Sequence, residues 1–157
     1  MTDADRLRAA GLRVTSARLA ILDAVRASNH PGTDEIARAA QDRVGHVTVQ
    51  AVYEALNALT TAGLLRRIEP AGNPARYESR VGDNHHHAVC RGCGTVTDFD
   101  CVAGYVPCLE PAASSGFTID EAEVTFWGRC AACQGQAPRP ATPPRPERTW
   151  VLVLPGN

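Results

Sequence analysis

From residue 15 onward the apolar positions recur with a helical period. Leu19, Leu22 and Val25 form a stripe behind Thr15 and Ser16, either of which can cap a helix. Pro31-Gly32 breaks the pattern, and Thr33 is placed to cap a short second helix carrying Ile36, Ala37 and Ala40. Gly45 interrupts again. The spacing predicts a third helix over 48–62, with Val49, Val52, Leu56 and Leu59 turned inward and Gly63 at its stop. Residues 64–68 then read as a strand, 70–74 as a turn, and 76–78 as the returning strand. Three helices followed by a two-stranded hairpin is the pattern of a winged helix-turn-helix, whose third helix enters the major groove while the hairpin touches the backbone. The same shape also serves protein contacts in other small domains, and the pattern alone leaves that open.

Beyond residue 80 the signal changes. Val81-Gly82-Asp83-Asn84 reads as a hinge. Strand character follows in 85–90, 95–99 and 117–126, the last with Phe117 and Ile119 alternating early and Val124 and Phe126 late. Between them, Gly104, Pro107 and Pro111 allow only a short or broken helix. Five of the sixteen residues from 134 to 149 are proline, which predicts an extended or disordered tail, ending in the apolar run 150–154. The fold class expected is α+β.

Composition adds modest bounds. With 157 residues, 44% hydrophobic and 21% charged, the chain suits one ordinary domain or two very small ones. The charged opening has no apolar signal region, and no apolar run approaches the ~20 residues that span a bilayer. The expectation is a cytoplasmic protein with no membrane partner. The net charge of −1 hides an asymmetry: residues 1–80 hold eleven arginines against nine acids, residues 84–133 two against six. That is a weak hint of nucleic-acid binding by the first half.

The chemistry is concentrated in His85-His86-His87-Ala88-Val89-Cys90-Arg91-Gly92-Cys93, answered far downstream by Cys130-Ala131-Ala132-Cys133. Two Cys-x-x-Cys knuckles supply four thiolates, enough to close a tetrahedral zinc site, and a reducing compartment favours zinc over disulfides. Three histidines cannot all join a site already filled by sulfur, so a second metal that can be gained or lost is implied. His85 and His87, two apart on a strand, share one face, and His86 takes the other. A catalytic zinc or iron centre is the contrary possibility, but no His-Glu-x-x-His occurs, and the chain is expected not to be an enzyme. A zinc adaptor that binds no DNA is another alternative. On the third helix Thr48, Gln50, Tyr53 and Asn57 are suited to base or phosphate contact, whereas Glu54 would repel phosphate. Arg13, Arg18, Arg66, Arg67 and Arg76 are then the candidates for the DNA backbone.

Taken in order, Gly11-Leu12-Arg13-Val14-Thr15, Ala51-Val52-Tyr53, Ala62-Gly63-Leu64, Arg76-Tyr77-Glu78, the histidine run and the knuckles carry a resemblance over residues 8–133. The chain resembles the ferric-uptake-regulator family of bacterial metal-dependent repressors. Asp100-Cys101, Pro107-Cys108-Leu109 and Ile119-Asp120-Glu121-Ala122-Glu123 are similar to the actinobacterial branch, which is associated with catalase-peroxidase genes. The resemblance implies a winged-helix DNA-binding domain over 1–80, a hinge at 81–84, a dimerisation and metal-binding domain over 85–133, and a tail from 134 to 157. It implies a homodimer on an AT-rich palindromic operator. It implies structural Zn(II) on Cys90, Cys93, Cys130 and Cys133. The regulatory metal, Fe(II) with Mn(II) or Zn(II) as alternatives, falls on His30, Glu78, His85, His87 and Asp98. Without the resemblance His30, Glu78 and Asp98 would pass for ordinary loop, wing-end and strand residues. The signal, iron or peroxide, stays open, as does zinc sensing. Cys101 and Cys108 are surplus to the zinc site, either a redox pair or two buried small hydrophobes.

Overall fold

A computed structural model describes residues 1–70, 73–83, 85–100, 116 and 124–135. Four helices come first: α1 (Asp3–Ala9), α2 (Ser16–Ala27), α3 (Thr33–Val44) and α4 (Val49–Thr61). A hairpin of β1 (Arg66–Ile68) and β2 (Arg76–Glu78) follows, then a three-stranded sheet of β3 (His85–Cys90), β4 (Val96–Asp100) and β5 (Thr125–Gly128). The architecture is α+β.

Helix α1 is absent from the sequence expectation because its one buried apolar residue, Leu7, cannot make a periodic stripe. Local polar chemistry forms it instead. Thr2 and Asp5 close a reciprocal capping box, Asp3 and Asp5 lie in the first turn, and Arg6 and Arg8 in the last. Arg26 of α2 then grips both carboxylate oxygens of Asp3 at 2.7 and 2.6 Å, fixing α1 against its neighbour.

Thr15 caps α2 by accepting from the Arg18 N–H at 3.2 Å, and Ile21, Leu22 and Val25 are buried. Leu19, expected in that stripe, is only half-buried. Helix α3 corrects a second expectation: Gly32, not Thr33, is the cap, and its N–H is held by Glu35 at 2.7 Å. In α4, Thr48 caps by accepting from Ala51, while Val52, Leu56 and Leu59 are buried. Val49, expected inside, is 52% exposed, because it sits in the first turn where the helix leaves the core. Gly63, at φ +66, reverses the chain, and Leu64 N–H bonds back to Leu59. Leu64 and Leu65 thus close the core, and the strand starts only at Arg66.

Two contacts fasten the α2–α3 loop to the hairpin. Gly32 bridges Arg76, and the Tyr77 N–H donates to the Pro31 carbonyl at 3.1 Å. His30 is thereby carried beside Glu78, at the end of β2. In the second sheet β3 is central, antiparallel to β4 and parallel to β5. The last strand covers Thr125–Gly128 rather than 117–126; residues 117–123 lie outside the described set, as do Asn84 of the expected hinge and the tail from residue 136. Among the described residues no helix is long and apolar enough to cross a membrane.

The core makes a direct prediction. Leu56→Ala should cost about 2–5 kcal/mol of stability, and Val49→Ala under about 0.5 kcal/mol. Urea midpoints at matched zinc content check the contrast.

Candidate metal centres and nucleic-acid face

Register assembles the first centre. His85 lies opposite Asp100 and His87 opposite Asp98, so the two histidines and Asp98 share a sheet face. His86 turns to the other face, its ring edge-on to Phe126 with centroids 6.0 Å apart. The loop before α3 brings His30 to the first face, and β2 brings Glu78. His30 adopts φ +52, a left-handed conformation that costs a non-glycine residue energy, and Arg76 supports it by donating to its carbonyl at 3.2 Å.

Ligand atoms of His30, Glu78, His87 and Asp98 lie within 4.8 Å of one another, and His85 adjoins this group through Glu78 and His87 without joining it in full. Glu78 Oε2 lies 3.1, 3.2 and 3.3 Å from Nε2 of His30, His85 and His87. Asp98 Oδ1 lies 2.8 Å from His30 Nε2 and 3.6 Å from His87 Nε2. His85 and His87 face each other Nε2 to Nε2 at 3.2 Å. His30, Glu78, His85 and His87 are buried. Burial opposes ionisation of Glu78, but hydrogen bonds from His30 and His87, and the nearby His87 and His85 rings, hold its carboxyl down to about 2.

This donor set fits a divalent cation. The buried Asp98 Oδ1 makes no hydrogen bond among the described residues even though His30 Nε2 is so near, because the two atoms are not aimed at one another. Three imidazole nitrogens and two carboxylates pointing at a shared space are the ligand types of Fe(II), Mn(II) or Zn(II). The outer nitrogen of His85 is also held: Nδ1 lies 2.9 Å from Asp83 Oδ1, and Arg80 binds both Asp83 and Asp100. Neither Arg80 nor Asp83 is recognisable in sequence beyond a polar hinge.

The second centre forms at the far end of β3. Parallel pairing sets Cys90 opposite Gly128, so the knuckle that follows β5 falls beside the one that follows β3. The sulfurs of Cys90, Cys93, Cys130 and Cys133 all lie within 4.8 Å of one another, with Cys93 and Cys130 3.7 Å apart. Backbone N–H groups, that of Cys130 foremost, pull the Cys90 thiol down to about 5. Cys133, hydrogen-bonded to Cys130 and buried, is pushed up to about 12. Four crowded thiols cannot all ionise unaided, and a cation among them removes that conflict, so the cluster fits Zn(II). Gly92 is required by close approach: a Cβ there would lie 2.8 Å from Cys133 Sγ and 2.9 Å from its Cβ. Cys101 and Cys108 lie outside the described residues.

On the outer side of α4, Thr48, Gln50, Tyr53, Glu54 and Asn57 are exposed. Gln50, Tyr53 and Asn57 line an open cleft of about 780 Å³ whose other wall includes Arg67 and Arg76 of the hairpin. The Gln50 amide donates to Glu54 at 3.1 Å. Arg13 is exposed, and its carbonyl accepts from Arg18 at 2.7 Å. Arg66 is half-buried, with Nε 3.8 Å from Glu78 Oε1.

A winged helix joined to a small sheet, with a histidine–carboxylate cluster between them and a four-cysteine cluster at the sheet's end, defines a metal-responsive DNA-binding class of protein. Comparison with known proteins names the class. The model of the ferric uptake regulator family matches residues 9–127. The transcriptional regulator FurA of Mycobacterium tuberculosis is 54% identical over 130 residues, 83% of this chain and 88% of that protein. Ferric uptake regulation protein 1 of Mycolicibacterium fortuitum is 56% identical over 121 residues, covering 77% and 75%. The crystal structure of the Vibrio cholerae ferric uptake regulator superposes with a TM-score of 0.69 at 27% identity, over 82% of this chain and all of that one. The chain belongs to the ferric uptake regulator family. It is a metal-responsive transcriptional regulator and not an enzyme.

Gly92→Ala should leave the helical core intact but loosen the thiolate cluster. Zinc should transfer to a competing chelator several-fold faster than from the unaltered chain, followed by absorbance of the chelator complex. Unchanged transfer would mean that the knuckles relax more readily than their spacing indicates.

Proposed function

We propose that the chain is a homodimeric, metal-dependent repressor that binds AT-rich palindromic operators. Residues 1–80 form its DNA-binding domain, 81–84 a hinge, and 85–133 its dimerisation and metal-binding domain. The observation that carries this reading is the convergence of His30 and Glu78 from the helical part with His87 and Asp98 from the sheet, with His85 beside Glu78. These five would hold the regulatory metal, Fe(II), with Mn(II) or Zn(II) acceptable to the same donors. The manganese described with the Pseudomonas aeruginosa ferric uptake regulator, 25% identical at a TM-score of 0.63, supports that choice. Zn(II) on the four cysteines would be structural. Two-fold symmetry in the protein calls for a two-fold operator.

What the metal supplies is a positive charge shared between two parts of the chain. His30, in the loop between α2 and α3, and Glu78, at the end of β2, both belong to the winged-helix part, so a metal holding them would fix its attitude to the sheet. Without that tie the population of the DNA-competent arrangement falls. Control of catalase-peroxidase or other oxidative-stress genes rests on the resemblance to the actinobacterial branch, with which the identities agree: 56% with a mycobacterial relative but 31% with the ferric uptake regulation protein of Bordetella parapertussis.

His85→Ala or His87→Ala should weaken metal-dependent retardation of AT-rich operator DNA while leaving one zinc per chain on the cysteines and the dimer intact. Operator binding with unaltered metal dependence in either variant rules out the assigned centre. Retardation that answers to Zn(II) but not Fe(II) would move the protein to zinc sensing.

Recognition generates a separate contrast. Gln50→Ala should cost ~1–3 kcal/mol at its cognate base and relax preference there. Arg13→Ala should weaken all sequences about equally and flatten the salt dependence, because phosphate carries no sequence information. Salt titrations on operator and random DNA decide it. Equal losses on both for Gln50→Ala would place other residues in the groove.

A further inference from the structure

His30 does not reach the cluster unaided. Its Nδ1 lies 2.9 Å from the side-chain oxygen of the preceding residue, Asn29, and the Asn29 amide nitrogen donates to the Val96 carbonyl at 3.0 Å. Val96 begins β4, two residues before Asp98. One amide therefore touches a ligand histidine of the helical part and the backbone of the strand that bears a ligand carboxylate.

We propose that Asn29 is a positioning residue for the histidine–carboxylate centre, holding His30 by Nδ1 so that Nε2 faces the cluster, and seating that loop on β4. The inference rests on the reading of the cluster as a metal site. An amide oxygen opposite Nδ1 requires a proton on that nitrogen. Nε2 is then the ligating atom, and the left-handed backbone of His30 delivers it to within 2.8 Å of Asp98 and 3.1 Å of Glu78. A ligating histidine that donates its other N–H to an oxygen is a recurring outer arrangement of metal sites. His85 shows the same arrangement with Asp83, an acceptor only. Asn29 differs because an amide also donates, and its donor is spent on the opposite sheet. The residue is otherwise exposed, so truncating it removes two hydrogen bonds and little packing.

The experiment uses the full chain with zinc in the knuckles, Mn(II) as the probe metal, and the variants Asn29→Ala, Asn29→Asp and His30→Ala. Nitrogen-15 spectra of the imidazoles, before Mn(II) is added, should show a slowly exchanging proton on His30 Nδ1. Finding that nitrogen unprotonated in the unaltered chain overturns the proposal without any variant. Asn29→Ala should lose the protected proton and bind Mn(II) roughly 10–100-fold more weakly. Asn29→Asp keeps an oxygen acceptor but has no donor for Val96. It should retain the proton and most of the Mn(II) affinity, yet lose part of the metal-dependent gain in DNA binding. Wild-type Mn(II) affinity in Asn29→Ala, or an aspartate variant that loses the proton as the alanine does, overturns the positioning role. Undiminished DNA coupling in Asn29→Asp overturns the seating role. If His30→Ala leaves Mn(II) binding unchanged, it is the metal-site reading that fails, and the Nδ1 proton still tests Asn29.

Discussion

Two buried or half-buried carboxylates and three buried imidazoles share one space, and the rest of the structure is arranged around keeping them there. Such groups are costly to remove from water unless they are paired. Here they are paired mainly with each other, and Asp98 Oδ1 is left without a hydrogen bond among the described residues. A divalent cation among them would offset the charge of the two carboxylates. The Gly32–Arg76 bridge, the Tyr77–Pro31 hydrogen bond and the β3–β4 register are what hold the donors to this meeting point.

Strand β3 carries both centres. His85 and His87 face the carboxylates, and Cys90 ends the strand, three residues beyond His87 and hence on the opposite face. Its parallel partner β5 delivers the second knuckle to the same end. Among the described residues of the sheet, Val89 and Val96 are the fully enclosed aliphatic ones. On the proposed reading, Zn(II) on the four cysteines would anchor the strand that fixes His85 and His87.

Much of this was legible in the chain. The stripes on α2 and α4, the glycine stops at Gly45 and Gly63 and the hairpin signal set out the winged helix, because periodicity reports which face is buried. The period-two pairing of His85 and His87 and the Cys-x-x-Cys spacing showed the chemistry. Helix α1 was not legible, since capping and one arginine clamp make it rather than a stripe. Val49 was misplaced because periodicity tells the side of a helix but not how far along it the core extends. The approach of Arg66 to Glu78 follows from the β1–β2 register, which a basic residue on a wing does not announce in sequence. Asn29, Arg80 and Asp83 act through contacts across the fold, which one sequence does not display.

The division of ligands between the two parts has a consequence for regulation on the proposed reading. His85, His87 and Asp98 sit on adjacent strands of one sheet, so their mutual distances are set by the register and do not depend on where the winged helix lies. Metal bound by these three alone would favour no arrangement over another, and a ligand with equal affinity for two states shifts nothing. On that reading the differential affinity would come from His30 and Glu78, which belong to the helical part and would meet the sheet ligands only when it is seated. Moving a population from 1:99 to 99:1 takes about 5.5 kcal/mol of such difference. Two ligand bonds from one buried histidine and one buried glutamate are the source available for it. Because coupling is reciprocal, DNA that selects the seated arrangement must tighten metal binding by the same factor. Losing His87 should therefore lower metal affinity in every arrangement, whereas losing His30 should uncouple metal from DNA even where metal still binds.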